Sequence, residues 1–284
     1  MQRIALLGVG TMGAGMAASW LKNGFPLTIW NRTPARAAPF AAQGATIAAT
    51  PREAAEGADI IVAMVADDDA SRDVWLGASG ALESAKPGAI LIESSTLTPD
   101  WVRELGAKAQ ERGCRFLDAP VGGSRTAAAA GQLVLFVGGD AETLEAARPA
   151  LEAVAQRVNH VGSTGAGATW KLINNMLIAT QAAGLAEALA FARKSGFAPD
   201  QISALIGSSA AASPIVQLKL PRMIEGEFDE TDFALYLMHK DTRYAVALAE
   251  KLGAPHDVIA AAETAFARAE AKGLGAKDFA AVAM

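Results

Sequence analysis

Three glycines near the N-terminus have the spacing that a phosphate-binding turn requires. Gly8, Gly10 and Gly13 form a G-x-G-x-x-G pattern directly after a short apolar run, and a helical pattern begins at Thr11 and Met12. In such a turn the first glycine permits the tight bend, the second lets a pyrophosphate approach the backbone, and the third allows the helix to pack closely on the strand. The N–H groups and the dipole at the start of the helix favour an anion. The pattern therefore predicts a dinucleotide-binding loop.

A second apolar run, 27–30, completes a strand–helix–strand unit, which separates this motif from an ordinary glycine turn. NAD-binding loops of this kind carry an acidic residue after that strand, where it holds the ribose 2′-hydroxyl. Here the neutral Asn31 stands there, followed by Arg32 and Thr33, with Arg36 one turn further on. A guanidinium suits a 2′-phosphate, and the missing acid removes a repulsion. The sequence predicts NADP rather than NAD, with Arg32 as the main determinant, unless Arg32 is an ordinary solvated charge.

Apolar runs of strand length alternate with helical patterns through the first part of the chain. The runs lie at 3–7, 27–30, 58–65, 88–95, 115–121 and 133–139, and the last helical pattern of this part covers 141–155. Continuous apolar runs are typical of strands buried on both faces, so they predict a parallel, doubly wound α/β sheet. After the glycine-rich stretch 160–170 only helical patterns follow, at 168–194, 199–207, 213–224, 232–252 and 255–272. We expect an NADP-binding domain over 1–163 and an all-helical substrate and dimerisation domain over 164–284, joined by the long helix.

The composition is that of a globular protein, since 51% of the 284 residues are hydrophobic and 19% are charged. The net charge of −5 gives no electrostatic reason to expect nucleic acid, and no stretch approaches the roughly 18 consecutive apolar residues of a membrane span. Cys114 is the only cysteine, which excludes an internal disulfide and fits a cytoplasmic location. The apolar N-terminal stretch superficially resembles a signal peptide, but its cleavage would remove the glycine loop. We expect the stretch to be retained and the partner to be a small molecule.

Four motifs spread over the whole chain resemble those of one family. They are GVGTMGAGMA with NRT, DAPVGGS at 118–124, GATWKLINN at 167–175 and HKD at 239–241. In this order they resemble the β-hydroxyacid dehydrogenases, the group of 3-hydroxyisobutyrate dehydrogenases and glyoxylate or succinic semialdehyde reductases. The resemblance implies an N-terminal Rossmann-type domain, a long connecting helix, an all-α C-terminal domain, and a homodimer or homotetramer built through the helical part.

The resemblance assigns the chemistry to Lys171. The family's matching lysine gives a proton to the carbonyl oxygen during reduction and removes it from the alcohol during oxidation. A hydride arriving at a carbonyl carbon leaves charge on oxygen, which a nearby ammonium stabilises and protonates. Asn175 lies one helical turn further on, where it would orient Lys171 or bind the substrate hydroxyl. These residues imply an NADPH-dependent enzyme that interconverts small aldehyde or keto acids and hydroxy acids, whereas Lys171 alone would be an ordinary surface lysine.

The chain departs from the family pattern after DAPV. In the family a serine and the neighbouring backbone amides hold the substrate carboxylate at this point. Here Gly122, Gly123 and Ser124 follow, so the backbone N–H groups remain while the hydroxyl at position 122 does not. Ser124 offers a replacement donor, and Arg125 offers a cationic contact unless it is a solvated loop residue. The mode of carboxylate binding, and with it the substrate, stays open.

Further residues carry over from the resemblance. Met64, Val65 and Ala66 match a segment that passes the cofactor in the family. Ser95 and Thr96 match a second segment, which lies near both the cofactor and the substrate. Phe233 would form an apolar wall of the substrate site, or else belong to the core. Lys240 and Asp241 match a C-terminal pair that reaches the active site. Because neighbours on a helix point to different faces, we expect Lys240 to approach the cofactor and Asp241 to have another partner.

Metal chemistry is not predicted, and two other functions stay open. Asp67–Asp69 follow a strand and favour a solvated loop that caps the next helix, while the three histidines lack the spacing of metal ligands. Imine reductases of the same fold commonly replace the lysine, so Lys171 argues against that function and Gly122 leaves it open as a side activity. A non-catalytic NADP-binding interaction module is the third possibility, although the family's branch of that kind has lost the lysine and gained further domains.

Overall fold

The computed structural model describes all 284 residues and divides into two compact units, Met1–Lys171 and Leu172–Met284. The first unit contains nine strands: β1 (Ile4–Leu7), β2 (Leu27–Trp30), β3 (Thr46–Ile47), β4 (Ile60–Ala63), β5 (Ile90–Glu93), β6 (Arg115–Asp118), β7 (Val121–Gly122), β8 (Leu133–Gly139) and β9 (Ala155–Gly162). Its helices are α1 (Thr11–Lys22), α2 (Pro34–Ala37), α3 (Pro51–Ala55), α4 (Asp68–Leu76), α5 (Pro99–Glu111), α6 (Arg125–Ala129) and α7 (Ala141–Glu152), with 3₁₀ turns at Ala38–Gln43 and Ala81–Glu83.

Six of the strands form a parallel sheet, and five of them correspond to predicted apolar runs, whereas the two-residue β3 does not. Their order is β3-β2-β1-β4-β5-β6, with every pair parallel. Beyond them, β8 runs antiparallel to both β6 and β7, and β9 runs parallel to β8. The predicted doubly wound sheet is confirmed, with a reversal of direction at its last strands.

The last strand of the sheet is absent from the sequence prediction. The expectation of a helix up to residue 155 is wrong, because α7 ends at Glu152 and β9 begins at Ala155. Along β9 the polar Arg157, Asn159 and His160 interrupt any apolar run, and most of the strand is exposed or half-buried. A half-exposed edge strand does not show the continuous apolar signal of a central one.

Alternate residues of β1 pack into different cores, as the two-residue period of a strand requires. Ile4 and Leu6 lie in the cluster that contains Trp20 of α1, whereas Leu7 lies in the cluster that contains Trp101 of α5. All five side chains are essentially fully buried. The sheet is therefore covered by helices on both faces, which leaves its strand ends as the places where loops are accessible.

The second unit is helical, as predicted. It contains most of α8 (Ala166–Lys194), together with α9 (Pro199–Gly207), α10 (Pro214–Glu225), α11 (Leu235–Leu252) and α12 (Asp257–Ala269), a π-helical turn at Glu270–Leu274 and a 3₁₀ turn at Phe279–Ala283. The only strand-like feature in it is an isolated bridge between Ala234 and Asp278.

The ion pair of Lys219 and Asp278 is buried inside the helical unit. Lys219 Nζ is 2.8 and 3.0 Å from the two carboxylate oxygens of Asp278, and both side chains are almost completely buried. The same carboxylate accepts hydrogen bonds from the backbone N–H groups of Asp232 and Ala280, and the ammonium lies 4.3 Å from the ring centroid of Phe279. The charges are thus fully paired, which a buried pair needs if it is not to be costly.

Helix α8 is the only helix whose length and apolar composition would allow it to cross a membrane. In its most apolar stretch 39% of the residues are buried within the protein. Because helices that pack into a protein core meet the same criteria, this is weak evidence for a membrane span.

Candidate active site

The carboxyl ends of five parallel strands lie level with one another. Leu7 pairs with Trp30 and with Ala63, Ala63 pairs with Glu93, and Glu93 pairs with Asp118. The loops that follow these residues therefore share one edge of the sheet. The strand order reverses between β1 and β4, and in open α/β sheets ligands bind at such a point, outside the carboxyl ends of the strands.

The glycine-rich loop has no room for other residues at two of its three glycines. Gly8 has a φ of +106°, and a Cβ on it would lie 2.3 Å from the carbonyl oxygen of Met64. A Cβ on Gly13 would lie 2.1 Å from the carbonyl oxygen of Gly8. Gly10 differs, since a Cβ there would have no protein atom within 4 Å. The open space at Gly10 faces away from the protein, as close approach of a ligand requires.

The start of α1, like that of the short helix α2, has no side-chain cap. Its N-cap residue, Gly10, makes no side-chain hydrogen bond. By contrast, a side-chain oxygen caps each of the five helices α3 to α7, the capping residues being Thr50, Asp67, Thr98, Ser124 and Asp140. The first N–H groups of α1 can therefore bind an external anion. Together with the open space at Gly10, this fits a dinucleotide pyrophosphate.

The side chain of Asn31 shapes the loop. Its Oδ1 accepts a hydrogen bond of 2.9 Å from Val9 N, and its Nδ2 donates one of 2.9 Å to the carbonyl oxygen of Thr33. Arg32 and Arg36 are exposed. The neutral amide thus fixes the loop from the position where an acid was expected, and the two guanidinium groups remain at its rim.

Two more of the predicted segments meet behind the glycine loop. Val65 N donates a hydrogen bond of 2.8 Å to Ser95 Oγ, which joins the loop after β4 to the loop after β5. Met64 and Ala66 flank Val65, and all three are half-buried, as is Thr96. The structure therefore brings these residues together on the edge that carries Gly8.

Sequence reasoning missed a buried acid in this region. Glu93, the last residue of β5, is fully buried and accepts hydrogen bonds from Ser71 Oγ at 2.6 Å, Trp75 Nε1 at 2.8 Å and Ser95 N at 2.9 Å. Burial raises the pKa of the Glu93 carboxyl, and the donated hydrogen bonds oppose that shift. The signal in the sequence was a single acidic residue inside the apolar run 88–95.

Asp118 anchors the helix that carries Lys171. Its two carboxylate oxygens accept hydrogen bonds of 2.8 Å from the backbone N–H groups of Gly165 and Ala168, at the start of α8. Asp118 is fully buried, and desolvation raises the pKa of its carboxyl against the effect of these bonds. The first residue of the DAPVGGS motif thus fixes the N-terminal turn of α8, the turn that precedes Lys171, at the carboxyl end of β6.

Lys171 is 9% exposed, although the residue before it on α8 is open to solvent. That residue, Trp170, is 47% exposed, and its ring packs against Phe136 with 6.5 Å between centroids. An ordinary surface lysine extends into water, because burying an ammonium costs free energy. The burial of Lys171 therefore separates it from the surface lysines of the chain.

The segment after DAPV forms a tight turn into α6. Gly123 has a φ of +128°, whereas Gly122 has a conformation that other residues adopt, and a Cβ on Gly122 would lie 3.5 Å from the Phe136 ring, an ordinary contact. Ser124 Oγ accepts a hydrogen bond of 3.2 Å from Ala127 N and so caps α6. Its O–H can still donate to a ligand. Arg125 is exposed.

Helix α6 packs very closely on α1. A Cβ on Gly15 would lie 2.6 Å from the Cβ of Ala128, and Ser19 Oγ donates a hydrogen bond of 3.2 Å to the Ala128 carbonyl oxygen. The helix of the glycine loop and the helix capped by Ser124 are therefore in direct contact.

In the helical unit the structure brings together three of the predicted residues. Asn175 Nδ2 donates a hydrogen bond of 2.6 Å to Asp241 Oδ2, and Lys240 Nζ lies 3.0 Å from Asp241 Oδ1. The expectation that Lys240 and Asp241 point apart is wrong, because the long lysine side chain turns back to the neighbouring carboxylate. Asp241 does have the other partner that was expected. Phe233 packs edge-on against Phe279 in the helical core, with 5.8 Å between ring centroids.

The residues set aside in the sequence have structural roles. Asp67 Oδ1 accepts a hydrogen bond from Ala70 N, which confirms the prediction of a helix cap. Cys114 is buried, and burial raises the pKa of its thiol. The His239 ring lies between the carboxylates of Glu263 and Glu270. No group of three or more His, Cys, Asp and Glu side chains in the chain is arranged to hold a metal ion.

A parallel sheet with a glycine-rich turn at its switch point, followed by a helical unit, defines a two-part NAD(P)-binding protein. Two family models match the chain: the NAD binding domain of 6-phosphogluconate dehydrogenase over residues 3–162, and the NAD-binding region of NADP-dependent 3-hydroxyisobutyrate dehydrogenase over residues 165–284. The chain belongs to the β-hydroxyacid dehydrogenase family, of the 3-hydroxyisobutyrate dehydrogenase type.

Individual relatives agree with this membership. Glyoxylate/succinic semialdehyde reductase 1 of Arabidopsis thaliana is 33% identical over 98% of this chain and 96% of its own length. A Mycobacterium tuberculosis 3-hydroxyisobutyrate dehydrogenase, solved with L-serine, has a TM-score of 0.89 and 32% identity over 100% of this chain and 98% of that one. The cytokine-like nuclear factor N-PAC of Homo sapiens is 34% identical over 99% of this chain, which spans 51% of that protein's length.

Proposed function

We propose that the protein is an NADP-dependent reductase and dehydrogenase that interconverts small aldehyde or keto acids, such as glyoxylate or succinic semialdehyde, with β- or γ-hydroxy acids. The observation that carries the proposal is the burial of Lys171, which follows the turn of α8 that Asp118 anchors at the edge of the sheet that carries the glycine loop. A buried ammonium on a helix anchored at that edge has a chemical use that a surface lysine does not have.

In this proposal, different residues bind the cofactor, transfer the proton and bind the substrate. Gly8, Gly10 and Gly13 with the first N–H groups of α1 hold the pyrophosphate, and the bound nicotinamide supplies or accepts a hydride. Lys171 holds the proton that the substrate oxygen receives during reduction and takes it back during oxidation. Asn175, one turn further along α8, donates a hydrogen bond to Asp241. In this proposal it orients Lys171 or binds the substrate hydroxyl. Thr96 and the turn at 122–124 contribute to substrate binding.

The test is the oxidation of NADPH over a panel of glyoxylate, succinic semialdehyde, simple aldehydes and a cyclic imine, with L-serine and 3-hydroxyisobutyrate assayed in the reverse direction. We expect turnover with at least one acid that carries a carbonyl or hydroxyl group. Turnover of the imine alone would identify an imine reductase. Tight binding of NADPH without turnover of any compound would identify a non-catalytic NADP-binding module.

Replacing Arg32 with alanine is expected to weaken NADPH binding about tenfold or more, because the 2′-phosphate loses a charged hydrogen-bond donor. Binding of NADH, which lacks that phosphate, should change less than about twofold on the same grounds. Arg36→Ala tests the second guanidinium at the same rim. Titration of each variant with both dinucleotides measures the effect, and a wild-type preference for NADH that persists in Arg32→Ala would disprove the assignment of NADP.

Replacing Gly122 with serine is expected to lower the KM for carboxylate substrates about tenfold, because a hydroxyl returns to the substrate turn and hydrogen bonds to charged groups are strong. The new Cβ meets only an ordinary contact with Phe136, whereas Gly123→Ser would be strained by its φ of +128° and its 3.1 Å approach to Leu133. Steady-state kinetics measure the effect. An unchanged or higher KM in Gly122→Ser, with unchanged NADPH binding, would exclude a carboxylate contact at this position.

The same proposal includes assembly and location. On helix α8 of the helical unit, three large apolar residues are exposed to solvent: Ile173 to 39%, Leu177 to 55% and Phe191 to 77% of their surface. Apolar side chains of this size exposed on one helix favour burial against another protein surface. We propose that a second copy of the chain covers these side chains in a homodimer or homotetramer. Residues 1–163 then bind NADP, while residues 164–284 serve substrate binding and dimerisation. We further propose that the enzyme works in the cytoplasm.

A further inference from the structure

The carboxyl group of Glu93 lies behind the two loops that follow β4 and β5, and the proposed reaction does not use it. Each of its oxygens is contacted by hydrogen-bond donors. Oε2 accepts from Ser71 Oγ and Trp75 Nε1, at 2.6 and 2.8 Å, and Oε1 accepts from Ser95 N at 2.9 Å. The tryptophan and backbone N–H groups can only donate, so this environment is complementary to a carboxylate.

On one side, the carboxylate is tied to packed helices. Ser71 belongs to α4, and its Oγ also accepts a hydrogen bond of 2.9 Å from Trp101 Nε1 of α5. Ser71 and Trp101 are almost completely buried, as is Trp75. This side of the network is part of the core.

On the other side, the carboxylate reaches the edge of the sheet where the glycine loop lies. It holds the backbone of Ser95, and Ser95 Oγ in turn holds Val65 N at 2.8 Å. Met64, the residue before Val65, touches the glycine loop, since its carbonyl oxygen lies against Gly8 and its side chain lies near Gly13. Glu93 thus connects the core to the loop after β5 directly and, through Ser95, to the loop after β4.

We propose that Glu93 is a positioning residue of the cofactor site, which holds the loops 64–66 and 94–97 in the arrangement that accepts the part of the dinucleotide extending beyond the glycine loop. This inference rests on the proposed function. Glutamine would not reproduce these hydrogen bonds. One end of its amide is an NH₂ group, which would face either the Ser95 N–H or the Ser71 and Trp75 donors and could not accept a hydrogen bond from them. A loop that is not preorganised binds its ligand more weakly, since ordering it then costs free energy.

The test compares variants on the two sides of the network in the full chain. Glu93→Gln and Ser95→Ala disturb the loop side, whereas Ser71→Ala removes a hydroxyl of equal size from the core side. We expect the Kd for NADPH to rise about tenfold in Glu93→Gln, as loss of a charged hydrogen bond implies, and to rise severalfold in Ser95→Ala. Ser71→Ala should lower the midpoint of thermal unfolding, because it removes hydrogen bonds within the buried core. Its Kd for NADPH should stay within about twofold of the wild type, because the bonds to the loops remain.

Amide hydrogen exchange in the absence of dinucleotide provides the second readout. Exchange at Val65 and Ser95 should accelerate in Glu93→Gln and Ser95→Ala but not in Ser71→Ala. An unchanged Kd in Ser95→Ala, or an increase in Ser71→Ala as large as that in Ser95→Ala, would overturn the inference, and the Ser95 variant decides the matter even if Glu93→Gln fails to fold. Absence of NADPH binding by the wild type would instead overturn the proposed function.

Discussion

Replacing Lys171 with alanine is expected to lower kcat by about a hundredfold or more while NADPH binding persists, because the variant lacks the group that protonates the substrate oxygen. The expectation depends on position as well as residue type. Lys171 is buried, and the turn of α8 that precedes it is fixed by two hydrogen bonds to Asp118. A lysine held in this way can contribute to the transition state without first losing the freedom of a surface side chain.

Two further variants separate the proton from the charge. Lys171→Arg keeps a cation but offers a group that does not give up its proton at neutral pH, so substrate binding should persist while turnover stays low. Lys194→Ala removes an exposed lysine at the far end of the same helix and should leave kcat unchanged. Single-turnover kinetics with saturating NADPH measure the chemical step. Near-normal turnover in Lys171→Ala would exclude Lys171 as the general acid.

Replacing Asp278 with alanine is expected to reduce the free energy of unfolding by about 3–5 kcal/mol, the cost of leaving one partner of a buried ion pair alone. The Lys219 ammonium would remain almost completely buried, and the N–H groups of Asp232 and Ala280 would lose their acceptor. Urea unfolding of the full chain, followed by circular dichroism, measures the difference.

The exposed pair of Lys277 and Asp229 provides the matched control. Asp229 is 87% exposed in that ion pair, so Asp229→Ala should cost less than about 1 kcal/mol. Combining Lys219→Met with Asp278→Ala should recover part of the loss, because no unpaired charge then remains buried. A loss in Asp278→Ala as small as that in Asp229→Ala would show that the buried pair does not stabilise the helical unit.

The sequence was sufficient for the central strands and for the glycine loop. Strands buried on both faces are continuous apolar runs, and Gly8 and Gly13 stand where any side chain would meet backbone atoms. The strand β9 was not predictable in this way, because its side chains are polar and half-exposed. The antiparallel direction of β8 was also not predictable, because strand direction depends on which strands pair and not on the apolar residues of one strand.

In the candidate site, a helix-capping hydrogen bond between residues close in the sequence was predictable, whereas hydrogen bonds between residues far apart in the sequence were not. The cap formed by Asp67 follows from its place before a helix. Glu93 and Asp118 stand at the ends of adjacent strands, and most of their hydrogen-bond partners lie on distant segments that only the tertiary fold brings near. The meeting of Lys240 with Asp241 depends on a side-chain conformation, which residue spacing does not determine.

The close approach of Gly15 to Ala128 couples two positions that are far apart in the chain. A larger residue at either one would separate α1 from α6 and displace the turn that Ser124 caps. Libraries that aim to change substrate preference by randomising residues 122–125 should therefore keep both positions small. Among homologous chains we expect the two positions to vary together, so that a bulkier residue at one is accompanied by a rebuilt helix at the other.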